Sequence, residues 1–156
     1  MQGGLSWLFI ALLAAALLVA AIGDWRSRII PNRLNAGIAL LAIPFWWSVG
    51  LPLWPGVALQ LALGAGVFGL FAIAFRFGAM GGGDVKMAAA LALWLPAAGV
   101  VKLLVIMSIA GGVLTLAMLA AHRMAKAAGQ PEIPYGIAIA FGGIWLIGER
   151  FLNQFV

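Results

Sequence analysis

Cysteine is absent from the sequence, which excludes disulfides and thiolate metal sites. Histidine occurs once, at His122, so a histidine-rich metal centre is excluded as well, and neither a metal nor a cofactor is expected. Charge is nearly as scarce. Charged residues make up 8% of the chain and hydrophobic ones 65%, whereas a soluble domain carries roughly a quarter charged. The acids number four: Asp24, Asp84, Glu132 and Glu149. No stretch is long and polar enough for a separate soluble domain, so residues 1–156 read as one integral membrane domain. What the chain has in quantity is long uncharged apolar runs. They predict an all-α, polytopic membrane protein with the lipid bilayer as its first partner. The net charge of +5 does not imply nucleic acid, because the basic residues stand in short loops between apolar runs.

Taken in order, the runs predict six spans. The first covers about Leu5 to Gly23 and ends at Asp24. It lacks the basic start of a signal peptide, and arginines follow it directly, so it is expected to be retained. The second covers Leu34 to Gly50, after Pro31 has broken the preceding turn. The third, Gly56 to Phe75, carries Ala62, Ala65, Gly66 and Gly69 at spacings that let helices pack closely. The fourth is short: Val85 to Leu95 precedes Pro96, while about 17–25 residues are needed to span. It either continues through a kink at Pro96 or starts from a loop recessed into the membrane. Ala98 to Ala121 and Gly136 to Phe151 complete the set.

Counting Lys and Arg orients the chain. Arg26, Arg28, Arg33, Arg76, Lys86, Arg123 and Lys126 fall on one side, and Lys102 and Arg150 on the other. The richer side is expected to be cytoplasmic, with both termini outside. Trp7, Trp46, Trp47, Trp54 and Trp94 would then form an aromatic belt at the outer interface, with Trp145 left mid-helix in a packing role.

The Asp24 and Asp84 loops share the cytoplasmic side. Glu132 and Glu149 are expected to be solvated or ion-paired, but each aspartate stands where a span meets a polar loop. An ionisable residue at the edge of an apolar helix costs free energy and is a functional candidate. Two carboxylates within a few Å share a proton, and such a pair can activate water with one member and protonate a carbonyl with the other. The competing expectation pairs Asp24 with Arg28 and Asp84 with Lys86 as simple ion pairs.

Three motifs decide between these expectations. Asp24 followed by Ile30-Pro31-Asn32, then Gly81-x-Gly83-Asp84-x-Lys86, then Pro134-Tyr135-Gly136, resembles the type IV prepilin leader peptidase family. These are bacterial intramembrane aspartic proteases of the GxGD type, and the motifs occur in the family's order across essentially the whole chain. The resemblance implies that Asp24 and Asp84 are the catalytic pair. It also implies that the substrates are prepilins or pseudopilins, trimmed of a short leader at the cytoplasmic face of the inner membrane, with pilus assembly machinery as a further partner. Long family members carry a cysteine-bearing cytoplasmic insertion and are associated with N-methylation. Here only Trp25 to Arg33 separate the first two spans, so no methyltransferase activity is expected. The compact form is similar to the peptidases of tight-adherence (Flp) pili.

Supporting roles are expected of a few neighbours. Gly81, Gly82 and Gly83 would admit a substrate strand near Asp84, or simply loosen the loop. Lys86 would bias the pair's protonation, meet a substrate carboxylate or anchor the interface. Arg26, Arg28 and Arg33 would set topology, with Arg28 also a candidate substrate contact. Pro31 and Asn32 would cap the second helix. Pro134 and Tyr135 would shape the last cytoplasmic turn, with Tyr135 at the interface. Two other functions fit an acid-bearing membrane bundle: a proton-coupled transporter and a non-catalytic pilus-assembly subunit. The absence of inverted repeats and the aspartates' position at helix ends speak against the transporter.

Overall fold

The computed structural model describes residues 2–125, 129 and 132–152. Lys126 and Pro131 lie outside the described residues. The described residues form six helices and no strand: α1 (Gln2–Ser27), α2 (Asn32–Ser48), α3 (Ala58–Arg76), α4 (Gly82–Ala92), α5 (Ala97–Met124) and α6 (Tyr135–Leu152). Three of the described helical stretches are long and apolar enough to cross a membrane, namely Gly4–Ser27, Leu53–Arg76 and Ala97–Met124. The chain is therefore a membrane protein, with three such helices where the hydropathy of the sequence predicts six.

α4 is the axis of the bundle. Asp84, Val85 and every residue from Met87 to Ala92 are buried, although the helix has only 11 residues. It packs on α2, α3 and α6; α1 lies between α2 and α6, and α5 packs on α6. Alanines at 88, 89, 90 and 92 allow this crowding, since they let neighbouring backbones approach. Gly64 of α3 serves the same end: a Cβ there would stand 2.5 Å from Leu93 Cδ2. Ala62, Ala65, Gly66 and Gly69 are exposed instead, so α3 meets α4 through Gly64 and Val67 and not through the expected stripe.

α4 does not run through a kink at Pro96. Trp94 N–H donates to Leu91 O and Leu95 N–H to Ala92 O, a tightened last turn, and Pro96 then caps α5 in extended geometry. Two tryptophans close this end. Trp46 Nε1–H donates to Leu93 O at 2.8 Å, and Trp94 Nε1–H donates to Ile38 O at 2.9 Å. Trp94 also stacks on Phe45 with centroids 4.8 Å apart. Both indoles are buried, which corrects their placement in an outer belt. Trp47 and Trp54, at 86% and 81% exposure, do face outward. Trp145 is also exposed, its ring tilted against Phe141.

Leu93 O lies past the end of α4, where no further helical turn meets it. Trp46→Phe removes its donor while keeping an aromatic ring. We expect a loss of about 1–3 kcal/mol, measured as an earlier thermal unfolding midpoint in detergent.

Candidate active site

Helix α1 continues through Asp24 to Ser27, four residues beyond the end expected from hydropathy. Ser27 Oγ–H donates to Gly23 O at 2.9 Å, and Arg28 N–H donates to Asp24 O at 3.0 Å, extending the helix past its apolar part. Arg28 then ends it at φ 57, a left-handed conformation usually left to glycine. Its guanidinium carbon stands 5.6 Å from the Trp25 ring centroid, and Nη1 is buried without a hydrogen-bond partner. Pro31, at φ −62 and ψ 137, then turns the chain into α2.

Asp84 enters from the opposite side. Gly81 is the extended cap residue of α4, so Asp84 is the third helical residue, where an acid faces the free amides of the first turn. Its carboxylate reaches back toward the Gly81 N–H, so that a Cβ on Gly81 would stand 2.9 Å from Asp84 Oδ2. Gly83 brings α4 close to the Ile30 backbone: its Cβ would stand 3.2 Å from Ile30 Cβ and 3.4 Å from Ile30 O. These two glycines thus fit parts of the protein itself against one another.

The start of α6 supplies the third wall. The backbone amides of Gly136 and Ile137, free N–H groups of a helix start, lie beside the Asp24 carboxyl, whose Oδ2 is buried without a hydrogen-bond partner. A Cβ on Gly136 would stand 2.8 Å from Asp24 Oδ2 and 2.6 Å from Ile30 Cδ1. Only glycine fits there.

Together Asp24, Arg28, Ile29, Ile30, Gly81, Gly82, Gly83 and Asp84 line a cavity of about 230 Å³. Asp24 is 4% exposed and Asp84 8%. Neither has a cationic partner within ion-pairing distance: among the described residues the ion pair formed is Lys102–Glu149. The simple pairings Asp24–Arg28 and Asp84–Lys86 are therefore not formed. Burial pushes the Asp84 carboxyl up to about 7, and the neighbouring Asp24 charge adds to the effect. Among the described residues, no three metal-binding side chains gather.

The remaining site residues fall outside this cavity. Lys86 donates from Nζ to Asn32 Oδ1 at 2.8 Å, and α2 has no side-chain cap, so Asn32 tethers α4 instead of capping its own helix. Pro31 precedes α2 at the surface. Tyr135 turns away toward α5: a Cβ on Gly111 would meet its ring at 2.7 Å, and its hydroxyl is 3.5 Å from Thr115 Oγ1. Asn35 was not anticipated from sequence. Its side chain is 4% exposed, and Nδ2–H donates to Gly83 O at 3.0 Å, holding the glycine turn from α2. An asparagine one turn into an apolar helix was the available signal.

Residues 11–116 match the family model described as the type IV leader peptidase family, a span that contains both aspartates but stops before Pro134-Tyr135-Gly136. No curated protein and no solved structure matched the chain. With both aspartates and the cavity between them inside the matched region, the chain belongs to the type IV leader peptidase family.

Proposed function

We propose that this peptidase removes the leader from type IV prepilins of the tight-adherence (Flp) kind, and from pseudopilins of like form, at the cytoplasmic face of the inner membrane. The observation that carries the proposal is the shared cavity: two buried carboxylates, from α1 and α4, face it without a counter-ion.

The chemistry follows from the unequal surroundings of the pair. Asp24, which faces the backbone amides of Gly136 and Ile137 and has Arg28 nearby, is assigned the role of base. Asp84 holds the shared proton. Asp24 takes a proton from water as its oxygen attacks the scissile carbonyl, and Asp84 gives its proton to the carbonyl oxygen. Collapse of the resulting gem-diol returns that proton to the Asp84 carboxylate, and the proton on Asp24 passes to the departing amide nitrogen. The products are a leader carboxylate and a free amine, with one water consumed. The short connection between α1 and α2 supports trimming without N-methylation as the expected activity.

Co-expression with candidate small prepilins tests this. Mass analysis should find the pilin shortened by its leader, unmethylated, and dependent on this chain. Every candidate pilin left at full mass would overturn it. A pilus assembled from pre-trimmed pilin in a strain lacking the chain would further separate protease from scaffold.

A pH dependence accompanies the mechanism. The acid function needs protonated Asp84, whose carboxyl titrates at about 7. Cleavage is therefore expected to fall with rising pH above that value, approaching about tenfold per unit. A rate flat from pH 6 to 9 would remove Asp84 from the acid role.

A further inference from the structure

Gly81, Gly82 and Gly83 give the stretch before Asp84 no stiffness of its own, because glycine adopts more backbone conformations than any other residue. The place of Asp84 must therefore be set from outside, and the start of α2 is the part of the fold that grips it. Asn32 and Asn35 stand three residues apart, as do Gly83 and Lys86, so each pair lies on one face of its helix. Asn35 Nδ2–H donates to Gly83 O at 3.0 Å, and Lys86 Nζ donates to Asn32 Oδ1 at 2.8 Å. Two hydrogen bonds of opposite sense thus hold α4 to α2 on either side of Asp84 in sequence.

A steric stop opposes them. A Cβ on Gly83 would stand 3.2 Å from Ile30 Cβ, two residues before α2 begins. The Asn35 bond draws α4 toward α2, and Ile30 limits the approach. Ile30 itself lies on the short turn that leaves α1 at Arg28, four residues after Asp24. A continuous set of contacts therefore runs from Asp24 through Ile30 and Gly83 to Asp84. Neither asparagine lines the aspartate cavity, so both act from behind it.

Stability does not account for Asn35. Its side chain is 4% exposed and makes one hydrogen bond, while Oδ1 is buried with no partner. A buried polar group left unpaired costs free energy. Gly83 O, inside α4, already faces the helical N–H four residues on. Leucine would suit this apolar position better, and a residue that breaks a local rule in this way marks a functional constraint.

We propose that Asn35 is a positioning residue: by holding Gly83 O it sets where the Asp84 carboxyl stands relative to Asp24. Its effect on cleavage rests on the peptidase function proposed above, whereas the positioning itself does not.

The test uses full-length protein in proteoliposomes and a prepilin processed in co-expression. Asn35→Leu removes the donor, and Asn35→Ala repeats the loss without added bulk. Ser48→Ala is the control, since it removes a buried hydrogen bond, Ser48 Oγ–H to Phe45 O at 2.7 Å, from the far end of the same helix. Both Asn35 variants should lower kcat by about tenfold or more, with KM changed by less than about twofold. Asn35→Leu should unfold at the wild-type temperature or above it. The charged groups facing Asp84 across the cavity are Asp24 and Arg28. A looser turn takes Asp84 away from the Asp24 charge, so cleavage should begin to fall at lower pH than in the wild type. Ser48→Ala should leave kcat and the pH profile unchanged. An unchanged kcat in the Asn35 variants would overturn the proposal. A lower kcat that follows a lower unfolding temperature, with the pH profile unmoved, would make Asn35 structural and overturn it too.

Hydrogen exchange reads the positioning without any substrate. The amides of Gly81 to Val85, including the Val85 N–H that donates to Gly81 O, should exchange about tenfold faster in Asn35→Leu and at the wild-type rate in Ser48→Ala. That result with no cleavage of any prepilin by the wild type would retain the positioning and reject the peptidase. Unchanged exchange in Asn35→Leu would overturn the positioning whatever the activity.

Discussion

Asp84→Asn and Asp24→Asn each lower prepilin cleavage by about 10³-fold or more, in protein that inserts and accumulates like the wild type. In the proposed mechanism the two substitutions differ in what they remove: Asp24→Asn takes away the base that receives the water proton, and Asp84→Asn the acid that protonates the carbonyl. Because the residues act as one unit, the double substitution should cost little more than either alone. Loss of fold would imitate loss of catalysis, but stability moves the opposite way. The Asp84 carboxyl titrates near 3.8 when free and at about 7 in the fold. As pH rises between these values the unfolded chain sheds a proton that the folded one keeps, so the wild type loses stability. Asparagine does not titrate. Asp84→Asn should therefore resist heat better than the wild type above pH 7, with the advantage shrinking toward pH 4. Substantial processing by either variant would reject the pair as the catalytic machinery.

Gly136→Ala should cost about 10²-fold in kcat/KM, from one methyl group. That methyl would stand 2.6 Å from Ile30 Cδ1 and 2.8 Å and 3.0 Å from Asp24 Oδ2 and Cγ. Ile30 is 6% exposed and has little room to withdraw. The carboxylate is the group that must yield, and in the proposed mechanism its position sets the chemistry. Moving it takes it away from the amides of Gly136 and Ile137 and out of register with Asp84. Gly66→Ala is the matched control, since a Cβ there meets nothing within 4 Å. A Gly136→Ala enzyme with unchanged kcat/KM would mean that Asp24 works from another position than the one it occupies here.

The count of six helices could be read from apolar run lengths, and the meeting of Asp24 and Asp84 from their places at helix ends. The inward-facing tryptophans could not. Trp46 and Trp47 are adjacent and chemically identical, and only the helix phase set by contact with α4 sends one indole inside and the other out. Likewise, small residues crowd α3, and periodicity alone could not select Gly64 over Gly66 as the contact with α4. The extension of α1 through Asp24 was missed because hydropathy ends where charge begins, whereas helical hydrogen bonding continues to Arg28. Asn32 has the side chain of a cap residue, yet Lys86, 54 positions later, holds its oxygen. Such pairings depend on tertiary distance, which no local pattern encodes.

The brevity of α4 bears on its place in the bilayer. Eleven residues rise about 16 Å, and a hydrocarbon layer is about 30 Å thick. Trp46 and Trp94 fix the far end of this rod, so the shortfall falls at the Asp84 end. It is met by protein and not by lipid, because α2, α3 and α6 enclose the rod along its length. Non-helical backbone below a membrane surface is tolerated where protein covers it, and the glycine turn before Asp84 has that cover from α2 through Asn35.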